Sequence, residues 1–466
     1  MIFRPRHIEP VPGQFVLCDT VIAHAPKRFQ EGIFAEFWRG FTFGTSALRV
    51  EDTQEMIFSI GEAAPTALDG HDWALTITES GVCVHAKDMN ALLLGFMTLM
   101  DRIRPVEIDG QLRAVVDCCL IRETPLVRER MVHFCVFPET QLWELERFVR
   151  MAAALKYSHI ILEFWGMLRY DCLRELAWPN AFTKEQIRPI IAEAHALGLE
   201  VVPMFNHWGH AAASRAMHGK HVVLDQNPAL QLYFSEDGWC WDIRSARVRA
   251  LLKCIREELM ELCGDSKYFH IGCDEAYNFA FTPENMDFIL DFIHEVSCDV
   301  QRKGRRAIIW GDMLLYRYAD YQNKYSCNAP SLEAEEYLQK HLSRDVIIAD
   351  WQYHALKAPV ETSLKFAQAG FDCLLCPWDE GKAQLDACMD TLRDHHLRGL
   401  IHTTWHTLTK GMPFITLAAV ACFEEGNAYA LRQARVHTAA LLRKVCSANG
   451  QYDRAGWAKE QIGIIT

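Results

Sequence analysis

Several features that define large protein classes are missing from this chain of 466 residues. It contains no uncharged apolar stretch of about 18 residues, which a membrane-spanning helix requires. It carries a net charge of -12 and has no basic stripe or basic tail, so neither a membrane nor a nucleic-acid partner is expected. These absences leave an acidic, soluble enzyme or binding protein as the expected class.

The cysteines also argue against a secreted protein. There are 17 of them, an odd number, and they are scattered, mostly beside apolar residues. A secreted chain is expected to pair its cysteines, whereas these positions predict buried, reduced thiols. The N-terminal segment lacks the apolar core of a signal peptide. We therefore expect a cytoplasmic location.

Residues 1–112 are predicted to form a small α+β domain. Residues 73–88 alternate apolar and polar side chains on both sides of a Glu-Ser-Gly turn, which is typical of a β-hairpin. Residues 89–103 then place apolar side chains at helical spacing. A strand pair followed by a helix is therefore expected at the end of this domain.

From residue 113 onward, short apolar strands alternate with amphipathic helices. Strand starts are predicted near residues 130, 158, 199, 267, 306, 345, 371 and 398. This alternation indicates a parallel sheet, and eight repeats over residues 113–414 predict an α/β fold, a (β/α)8 TIM barrel. The alternative is an open doubly wound sheet, but the glycine-rich turn that it needs after its first strand is absent. Residues 415–466 are predicted to form C-terminal helices packed on the barrel.

Catalytic groups of a TIM barrel lie at the C-terminal ends of its strands, so residues there are the candidates. Tryptophan recurs at the last four of these ends, as Trp310, Trp351, Trp378 and Trp405. Aromatic rings around acids suggest a pocket for a sugar, which has apolar faces and polar edges. The polar residues at these ends are Glu163, Asn206, His207, His210, His270, Asp274, Glu275, Asp312, Asp350, Tyr353, Asp379, Glu380 and His406.

Two adjacent acids, Asp274 and Glu275, follow the strand segment 267–272. Neighbouring residues on a regular strand face opposite sides, but both can turn into the mouth where the strand opens into a loop. Two close carboxylates cannot ionise equally, so one tends to keep a proton while the other is charged. Glycoside cleavage needs such an acid and such an anion together.

The neighbouring histidines and cysteine have less specific patterns. His207 and His210 do not match the helical HExxH metal motif, so a structural or substrate-contacting role is predicted, and no metal. His270 lies inside its strand and is expected to support the acids through hydrogen bonds. Cys273 is expected to be a packing residue rather than a nucleophile.

The segment 269–275, FHIGCDE, resembles the signature of glycoside hydrolase family 20, the β-N-acetylhexosaminidases. Its cysteine variant is most similar to the hexosaminidase D branch, which is nucleocytoplasmic in animals. The segments RMVHFCVF, IILEFW, LEVVPMFNHWGH, IIWGDML and ADWQY resemble that branch in order and spacing. The likeness covers most of residues 70–410.

The resemblance implies an exo-acting, retaining hydrolase that removes terminal GlcNAc or GalNAc from a glycan or glycoconjugate without a cofactor. In this family the 2-acetamido oxygen of the substrate attacks the anomeric carbon and gives an oxazolinium ion. Carried over, Glu275 is the general acid and then the base, Asp274 orients the acetamido group, and Tyr353 hydrogen-bonds its carbonyl. The resemblance and the strand-end positions together assign substrate binding to Glu163, Asn206, His210, His270, Trp310, Asp312, Trp351, Trp378 and Trp405.

The chain departs from the family at the first barrel strand. Many members carry an arginine at the end of this strand that grips sugar hydroxyls, and the segment MVHFCVFPE has none, which makes Glu163 and Arg169 candidate replacements. One alternative function is a retaining glycosidase whose nucleophile is Glu163 or Glu380. Another is a non-catalytic carbohydrate-binding protein on the same fold. The sequence does not fix the oligomeric state, and a homodimer is one state considered.

Overall fold

The first sheet of the molecule is formed by residues near the N-terminus. A computed structural model describes residues 1–211, 224, 227–317, 325–379, 381–405 and 408–445. In this sheet, β1 pairs with β8, the order continues β8-β5-β6-β4-β2-β3, and β7 pairs with β8. The strands are β1 His7–Val16, β2 Thr20–Ala25, β3 Ala47–Asp52, β4 Ile57–Gly61, β5 Trp73–Thr78, β6 Gly81–Ala86, β7 Arg104–Ile108 and β8 Gln111–Glu123.

Two helices pack on this sheet, α1 Gly32–Phe41 and α2 Met89–Arg102. Helix α2 begins after Asp88, whose side chain accepts a hydrogen bond of 2.8 Å from the Ala91 N–H and so satisfies one free donor of the first turn. Its buried face carries Phe96, whose ring lies 4.9 Å from that of Phe58 on β4. The predicted hairpin and helix are therefore both present.

The end of this first region lies beyond the predicted boundary at residue 112. That residue falls inside strand β8, which continues to Glu123 and pairs with β1, β5 and β7. The first barrel strand begins six residues later at Glu129. The position was misplaced because the apolar run of β8 resembles the start of the barrel repeat.

Eight parallel strands close into a barrel, which confirms the predicted fold and excludes the doubly wound alternative. The order runs from β9 to β16, and β16 pairs with β9. The strands are β9 Glu129–Cys135, β10 His159–Glu163, β11 Glu200–Met204, β12 Tyr268–Gly272, β13 Arg306–Trp310, β14 Ile347–Asp350, β15 Cys373–Leu375 and β16 Gly399–His402.

Helices between the strands cover the outside of the barrel. They are α3 Leu142–Ala154, α4 Lys184–Ala196, α5 Ala246–Cys263, α6 Pro283–Gln301, α7 Leu332–His341, α8 Glu361–Gln368 and α9 Lys382–His395. Helix α4 starts with a capping box, in which Thr183 and Gln186 bond each other's backbone N–H. The barrel interior is filled by side chains that the strands point inward, including Met131, Ile161, Val202, Ile308, Ile347, Leu374 and Ile401.

Two further helices follow the barrel, α10 Leu408–Ala421 and α11 Leu431–Val445. Helix α11 contacts α1 of the first region and α3 of the barrel, so it joins the two. The predicted boundary at residue 414 falls inside α10, and residues 446–466 lie outside the described part of the chain. Among the described helices, none has the length and apolar character needed to cross a bilayer.

The described cysteines agree with the sequence pattern. Twelve of the sixteen are buried, and no disulfide links any of the sixteen. Cys273, between the strand end and the acids, is one of the buried ones, and its thiol lies 3.5 Å from the carbonyl oxygen of Ile271. It packs rather than faces the pocket, as predicted.

Candidate active site

Strand β12 ends in an irregular backbone that carries the two adjacent acids. Its pairing register with β13 shifts between His270 and Gly272, which is a β-bulge. Gly272, Cys273 and Glu275 then have left-handed φ angles of 67°, 72° and 52°. Such angles are unfavourable for residues other than glycine and break the two-sided alternation of a strand. Asp274 and Glu275 can therefore turn toward the same side.

Asp274 and Glu275 both face one histidine, His210. The Nδ1 atom of His210 lies 3.0 Å from Oδ2 of Asp274 and 3.8 Å from Oε2 of Glu275. Asp274 is buried, and among the described residues its second oxygen, Oδ1, has no hydrogen-bond partner. The Glu275 side chain is 20% exposed. The pair thus offers one fixed, buried carboxylate and one carboxyl that solvent or a ligand can reach.

His210 is held in place from two sides. The Asn206 side-chain amide donates to the His210 carbonyl oxygen at 3.3 Å, and the imidazole stacks on Trp239 with ring centroids 5.0 Å apart. The Trp239 indole N–H also donates to the backbone carbonyl of Glu275. Trp239 therefore orients the histidine and one of the acids together.

A third acid, Asp312, lies beneath the pair and is fully buried. Its carboxylate accepts hydrogen bonds from the Glu275 backbone N–H at 2.9 Å, the Trp351 indole at 3.0 Å and the Asn328 amide at 2.7 Å. Burial and then the charge of Asp274 raise its pKa to about 7, with a further contribution from Glu275. Asp312 therefore positions the backbone of Glu275 rather than a ligand.

Tyr353 follows strand β14 and reaches the far side of the pocket. Its hydroxyl lies 3.1 Å from Oγ1 of Thr403 and accepts a hydrogen bond from the Trp405 indole. Burial raises the pKa of Tyr353 well above its ordinary value, and the charge of Asp274 contributes to that shift. The phenol therefore stays protonated as a hydrogen-bond donor, close enough to Asp274 to feel its charge.

Three of the four predicted tryptophans, Trp351, Trp378 and Trp405, have partly exposed rings near the C-terminal ends of the barrel strands. Tyr353 lies between the first two, with ring centroids 5.4 Å from Trp351 and 5.1 Å from Trp378. Trp310 differs, because it is 1% exposed and packs 5.6 Å from Trp405 in the barrel interior. It forms the floor beneath the wall rather than part of the wall.

Two residues predicted to bind substrate lie below the pocket surface instead. Glu163 is 1% exposed and pairs with His133 at 3.2 Å. His270 is fully buried, accepts from the Gly272 N–H at 3.1 Å and packs 4.3 Å from Trp310. Burial lowers the pKa of His270 to about 3, so its ring is neutral. A position at a strand end does not distinguish a supporting group from a contacting one, and the burial of both side chains favours a supporting role.

The candidate replacements for the missing arginine are not supported by position. The Arg169 guanidinium donates to the carbonyl oxygens of Ala181 and Pro179 and so fastens its own loop. The Glu163 carboxylate is hydrogen-bonded to the His133 imidazole. The residues Glu380 and His406 lie outside the described part of the chain.

Sequence reasoning missed several members of the site. Trp239 and Asn328 come from loops far from the strand ends in sequence, and only the folded chain brings them to the acids. His133 could have been found, because it points inward on the first barrel strand. Tyr277 follows the acid pair by two residues, stacks on Trp239 and hydrogen-bonds the Glu275 side chain.

Potential metal ligands meet in two groups of described residues, each with its ligand atoms within 4.8 Å of one another. The first is His210, Asp274 and Glu275, which is the acid-pair site itself. The second is Cys172, Cys254 and Glu258 on the outside of the barrel.

Comparison with known proteins places this site in a family. Residues 159–396 match the family model "Glycosyl hydrolase family 20, catalytic domain". The match covers half of the chain. The protein belongs to glycoside hydrolase family 20. Its barrel, the FHIGCDE segment and the acid pair are those that the sequence resemblance led us to expect.

Two curated relatives match shorter segments. Lacto-N-biosidase of Bifidobacterium bifidum is 23% identical over 190 residues, which are 36% of this chain and 16% of that protein. Hexosaminidase D of Bos taurus is 28% identical over 129 residues, which are 27% of this chain and 34% of that protein. The match thus spans 16% of the length of the first relative and 34% of the length of the second.

Solved structures match over nearly the whole chain. An exo β-N-acetylglucosaminidase of Vibrio harveyi has a TM-score of 0.66 at 15% identity, covering 98% of this chain and 78% of that one. A Flavobacterium johnsoniae chitobiase has a TM-score of 0.68 at 16% identity, covering 98% of this chain and 72% of that one. A β-N-acetylhexosaminidase of Streptomyces coelicolor has a TM-score of 0.67 at 17% identity, covering 99% of this chain and 96% of that one. These likenesses establish the fold, including the N-terminal sheet before the barrel.

Proposed function

We propose that this protein is an exo-acting β-N-acetylhexosaminidase that releases terminal GlcNAc or GalNAc with retention of configuration. The observation that carries the proposal is the state of Asp274, whose buried Oδ1 has no partner among the described residues while Oδ2 is held by His210. A buried acceptor without a donor is costly, and a substrate N–H would satisfy it. The acetamido group of an N-acetylhexosamine carries such an N–H.

The acids divide the reaction between them. Glu275 gives its proton to the glycosidic oxygen while the acetamido carbonyl oxygen forms a bond to the anomeric carbon, and the glycosidic bond breaks. The resulting oxazolinium ion is positively charged, and the Asp274 carboxylate stabilises that charge in a buried site. Water then attacks the anomeric carbon, and Glu275 takes a proton from that water. The oxazolinium ring opens and gives the free N-acetylhexosamine.

Other residues hold the reacting groups in place. The Tyr353 hydroxyl is the donor for the acetamido carbonyl. Without substrate, the Tyr353 hydroxyl donates to the Thr403 hydroxyl, which in turn donates to the Pro377 carbonyl. Asp312 fixes the backbone N–H of Glu275. The partly exposed rings of Trp351, Trp378 and Trp405 supply apolar surface for the sugar and the acetamido methyl group.

The family and its structural neighbours support this substrate class. The neighbours include an exo β-N-acetylglucosaminidase bound to N-acetylglucosamine and a β-hexosaminidase of Streptomyces plicatus bound to the product GlcNAc. These ligands belong to those proteins, and their transfer to this chain is part of the proposal.

The test is hydrolysis of 4-nitrophenyl β-GlcNAc and β-GalNAc, with 4-nitrophenyl β-glucoside as the matched substrate that lacks the acetamido group. Release of nitrophenol from the first two, and little from the third, supports the proposal. Equal rates on all three substrates would contradict acetamido participation.

The alternative with a protein nucleophile has weaker support. Its described candidate, Glu163, is buried and paired with His133, so its carboxylate is held away from a sugar. A trapped glycosyl-enzyme ester would nevertheless establish it. The other alternative, a carbohydrate-binding protein without catalysis, predicts GlcNAc binding with no turnover of any aryl glycoside.

The proposal includes a cytoplasmic location, and a homodimer is the oligomeric state to be tested; both points await measurement. The twelve buried cysteines without a disulfide support a reducing compartment. Localisation of a tagged full-length chain tests the first point, and sedimentation velocity tests the second. A secreted chain or a monomer over the whole concentration range would overturn the respective point.

A further inference from the structure

A second cluster of reactive side chains lies on the outer side of the barrel, away from the acid pair. Cys172 belongs to the loop between β10 and α4, and Cys254 and Glu258 lie one turn apart on helix α5. Residues at i and i+4 of a helix share a face, so the thiol and carboxylate of α5 point the same way. Their ligand atoms and the Cys172 sulfur all lie within 4.8 Å of one another.

The spacing is close to that of a tetrahedral metal site. Zinc–sulfur bonds of about 2.3 Å and zinc–oxygen bonds of about 2.0 Å place two sulfurs about 3.8 Å apart and sulfur and oxygen about 3.5 Å apart. The Cys254 sulfur already lies 3.8 Å from Oε1 of Glu258. The three side chains therefore need only a small inward movement to bind one cation.

Neighbouring groups orient the carboxylate toward the sulfurs. Oε2 of Glu258 accepts from the Asp171 backbone N–H at 2.8 Å and pairs with the Lys184 ammonium at 2.7 Å. Oε1 accepts from the Cys172 backbone N–H at 2.8 Å and faces the Cys254 thiol. Both oxygens are thus anchored by backbone N–H groups, and Oε1 also faces the Cys254 thiol. Outer-shell partners orient a ligating carboxylate in this way.

We propose that Cys172, Cys254 and Glu258 form a binding site for one thiophilic divalent cation such as Zn²⁺, with solvent as the fourth ligand. All three side chains are partly exposed, so a cation and its water can enter from the surface. Two thiolates and a carboxylate suit a borderline-soft cation and do not suit Mg²⁺ or Ca²⁺. The bound cation would fasten the loop of Cys172 to helix α5.

Binding requires both thiols to lose their protons to solvent. Burial, followed by hydrogen bonds to Glu258 and Cys254, raises the pKa of the Cys172 thiol. Without a cation the Cys172 thiol is therefore protonated. The cation replaces two protons, so its apparent affinity is expected to increase with pH.

Cadmium titration of the full-length reduced protein, stripped of metal with a chelator, tests this site. Cd²⁺ bound to thiolates gives an ultraviolet charge-transfer absorbance, which the His210 group of the active site cannot give because it has no sulfur. We expect the absorbance to saturate at one equivalent of Cd²⁺ per chain. Competition with a coloured zinc chelator then gives the Zn²⁺ affinity.

Variants separate this cluster from the other thiols. Cys172→Ser and Cys254→Ser should each abolish the saturating absorbance, whereas the exposed-thiol control Cys18→Ser should keep it. Lys184→Met should weaken Zn²⁺ binding about 10- to 100-fold by freeing the carboxylate. Circular dichroism and urea unfolding check that each variant is folded. If one serine variant is not folded, Glu258→Gln takes its place.

Two results would overturn the proposal. One is a folded, reduced wild-type protein that shows no thiolate absorbance with Cd²⁺. The other is a Cys172→Ser and Cys254→Ser pair that retains the wild-type absorbance and stoichiometry, which would place the metal on other cysteines. The site does not depend on the proposed glycosidase activity, so either hypothesis can fail alone.

Discussion

The two ends of the same barrel handle charge in opposite ways. At the N-terminal end of the strands, Arg398 donates to Glu129 at 2.7 Å and to the Tyr268 hydroxyl at 2.7 Å. Arg398 and Arg306 also share Asp372, at 2.9 and 2.6 Å. At the C-terminal end, Asp274 and Asp312 are held by a histidine, a tryptophan, an asparagine and a backbone N–H.

This difference indicates that the charged groups at the N-terminal end stabilise the fold, whereas those at the C-terminal end serve catalysis. At the N-terminal end, arginine and lysine side chains neutralise the acids. An open cleft of about 610 Å³ lies at this end, and there too the acid Asp72 is paired, with Lys87 and Arg128. At the C-terminal end, no arginine or lysine among the described residues pairs with Asp274 or Asp312, and burial together with the charge of Asp274 raises the pKa of Asp312. Such uncompensated charge is available to a cationic transition state.

Substitution of the acid pair should have the largest effect on activity. Glu275→Gln removes the transferable proton and Asp274→Asn removes the charge that stabilises the oxazolinium ion, so each should lower kcat about 10²- to 10⁴-fold on aryl N-acetylhexosaminides. Steady-state kinetics checks this, with the exposed helix residue Glu333→Gln as control. A variant with near-normal kcat would remove that residue from the mechanism.

Tyr353→Phe should have the next largest effect. It removes the donor to the acetamido carbonyl and also the hydroxyl that accepts from the Trp405 indole, so kcat should fall about 10²-fold. The matched control is Tyr337→Phe, which loses a hydroxyl bond to Asp287 on the outer helices. If both variants retain wild-type kcat, Tyr353 serves packing alone.

Gly272→Ala should weaken both stability and turnover. The added Cβ would collide with the Asn206 side chain at a φ of +67°, and left-handed strain alone costs about 1–2 kcal/mol. Gly110→Ala is the control, because its φ is +76° and its Cβ would meet open space. Urea unfolding and kinetics should show strain in both variants and lost activity only in Gly272→Ala. Equal activity in the two would disprove the need for close approach at Gly272.

At the opposite end of the barrel, Arg398→Met should reduce stability and spare catalysis. It leaves Glu129 and Asp372 with fewer partners, which should lower the free energy of unfolding by about 1–3 kcal/mol. Urea unfolding measures the loss, while kcat of the folded variant should match wild type. A large fall in kcat would contradict the division between the two ends.

The smallest expected effect is on the pH dependence of stability, through Asp312. Its pKa rises from 3.8 to about 7 on folding, so the folded state binds more protons between these values. This group therefore makes the free energy of unfolding fall as pH rises from about 4 to about 7. His270, with its pKa lowered from 6.5 to about 3, contributes the opposite slope.

Asp312→Asn removes the first contribution and leaves the second. Between pH 4 and about 7, the unfolding free energy of the variant should therefore rise more steeply with pH, or fall less, than that of wild type. Urea unfolding at several pH values gives both curves. Parallel curves would show that Asp312 keeps its ordinary pKa in the folded protein.

The sequence predicted the barrel because its signal is local. Each of the eight predicted strand starts lies within two residues of the observed one. Apolar strands and amphipathic helices can each be recognised from the periodicity of a short stretch of sequence. The acid pair was predicted from adjacency at a strand end. Its left-handed backbone at Cys273 and Glu275 could not be, because it depends on the bulge and on contacts with Asn206.

Depth within the barrel was the main property that the sequence did not reveal. Glu163 ends a strand, His270 lies inside one and Trp351 follows one, yet the first two are buried and the third is partly exposed. Trp239 orients both His210 and Glu275 from a loop with no repeat pattern. Such contacts arise only when distant loops meet at one end of the barrel.

The central claim is that Asp274 and Glu275 work with the substrate's own acetamido oxygen. The most direct test measures kcat/KM for 4-nitrophenyl glycosides whose acetamido methyl carries none, one, two or three fluorine atoms. Each fluorine weakens the carbonyl oxygen as a nucleophile, so a steep decline is predicted, together with inhibition by a thiazoline analogue of the intermediate. Rates that do not change along the series, with no inhibition, would contradict substrate assistance and the roles given to both acids.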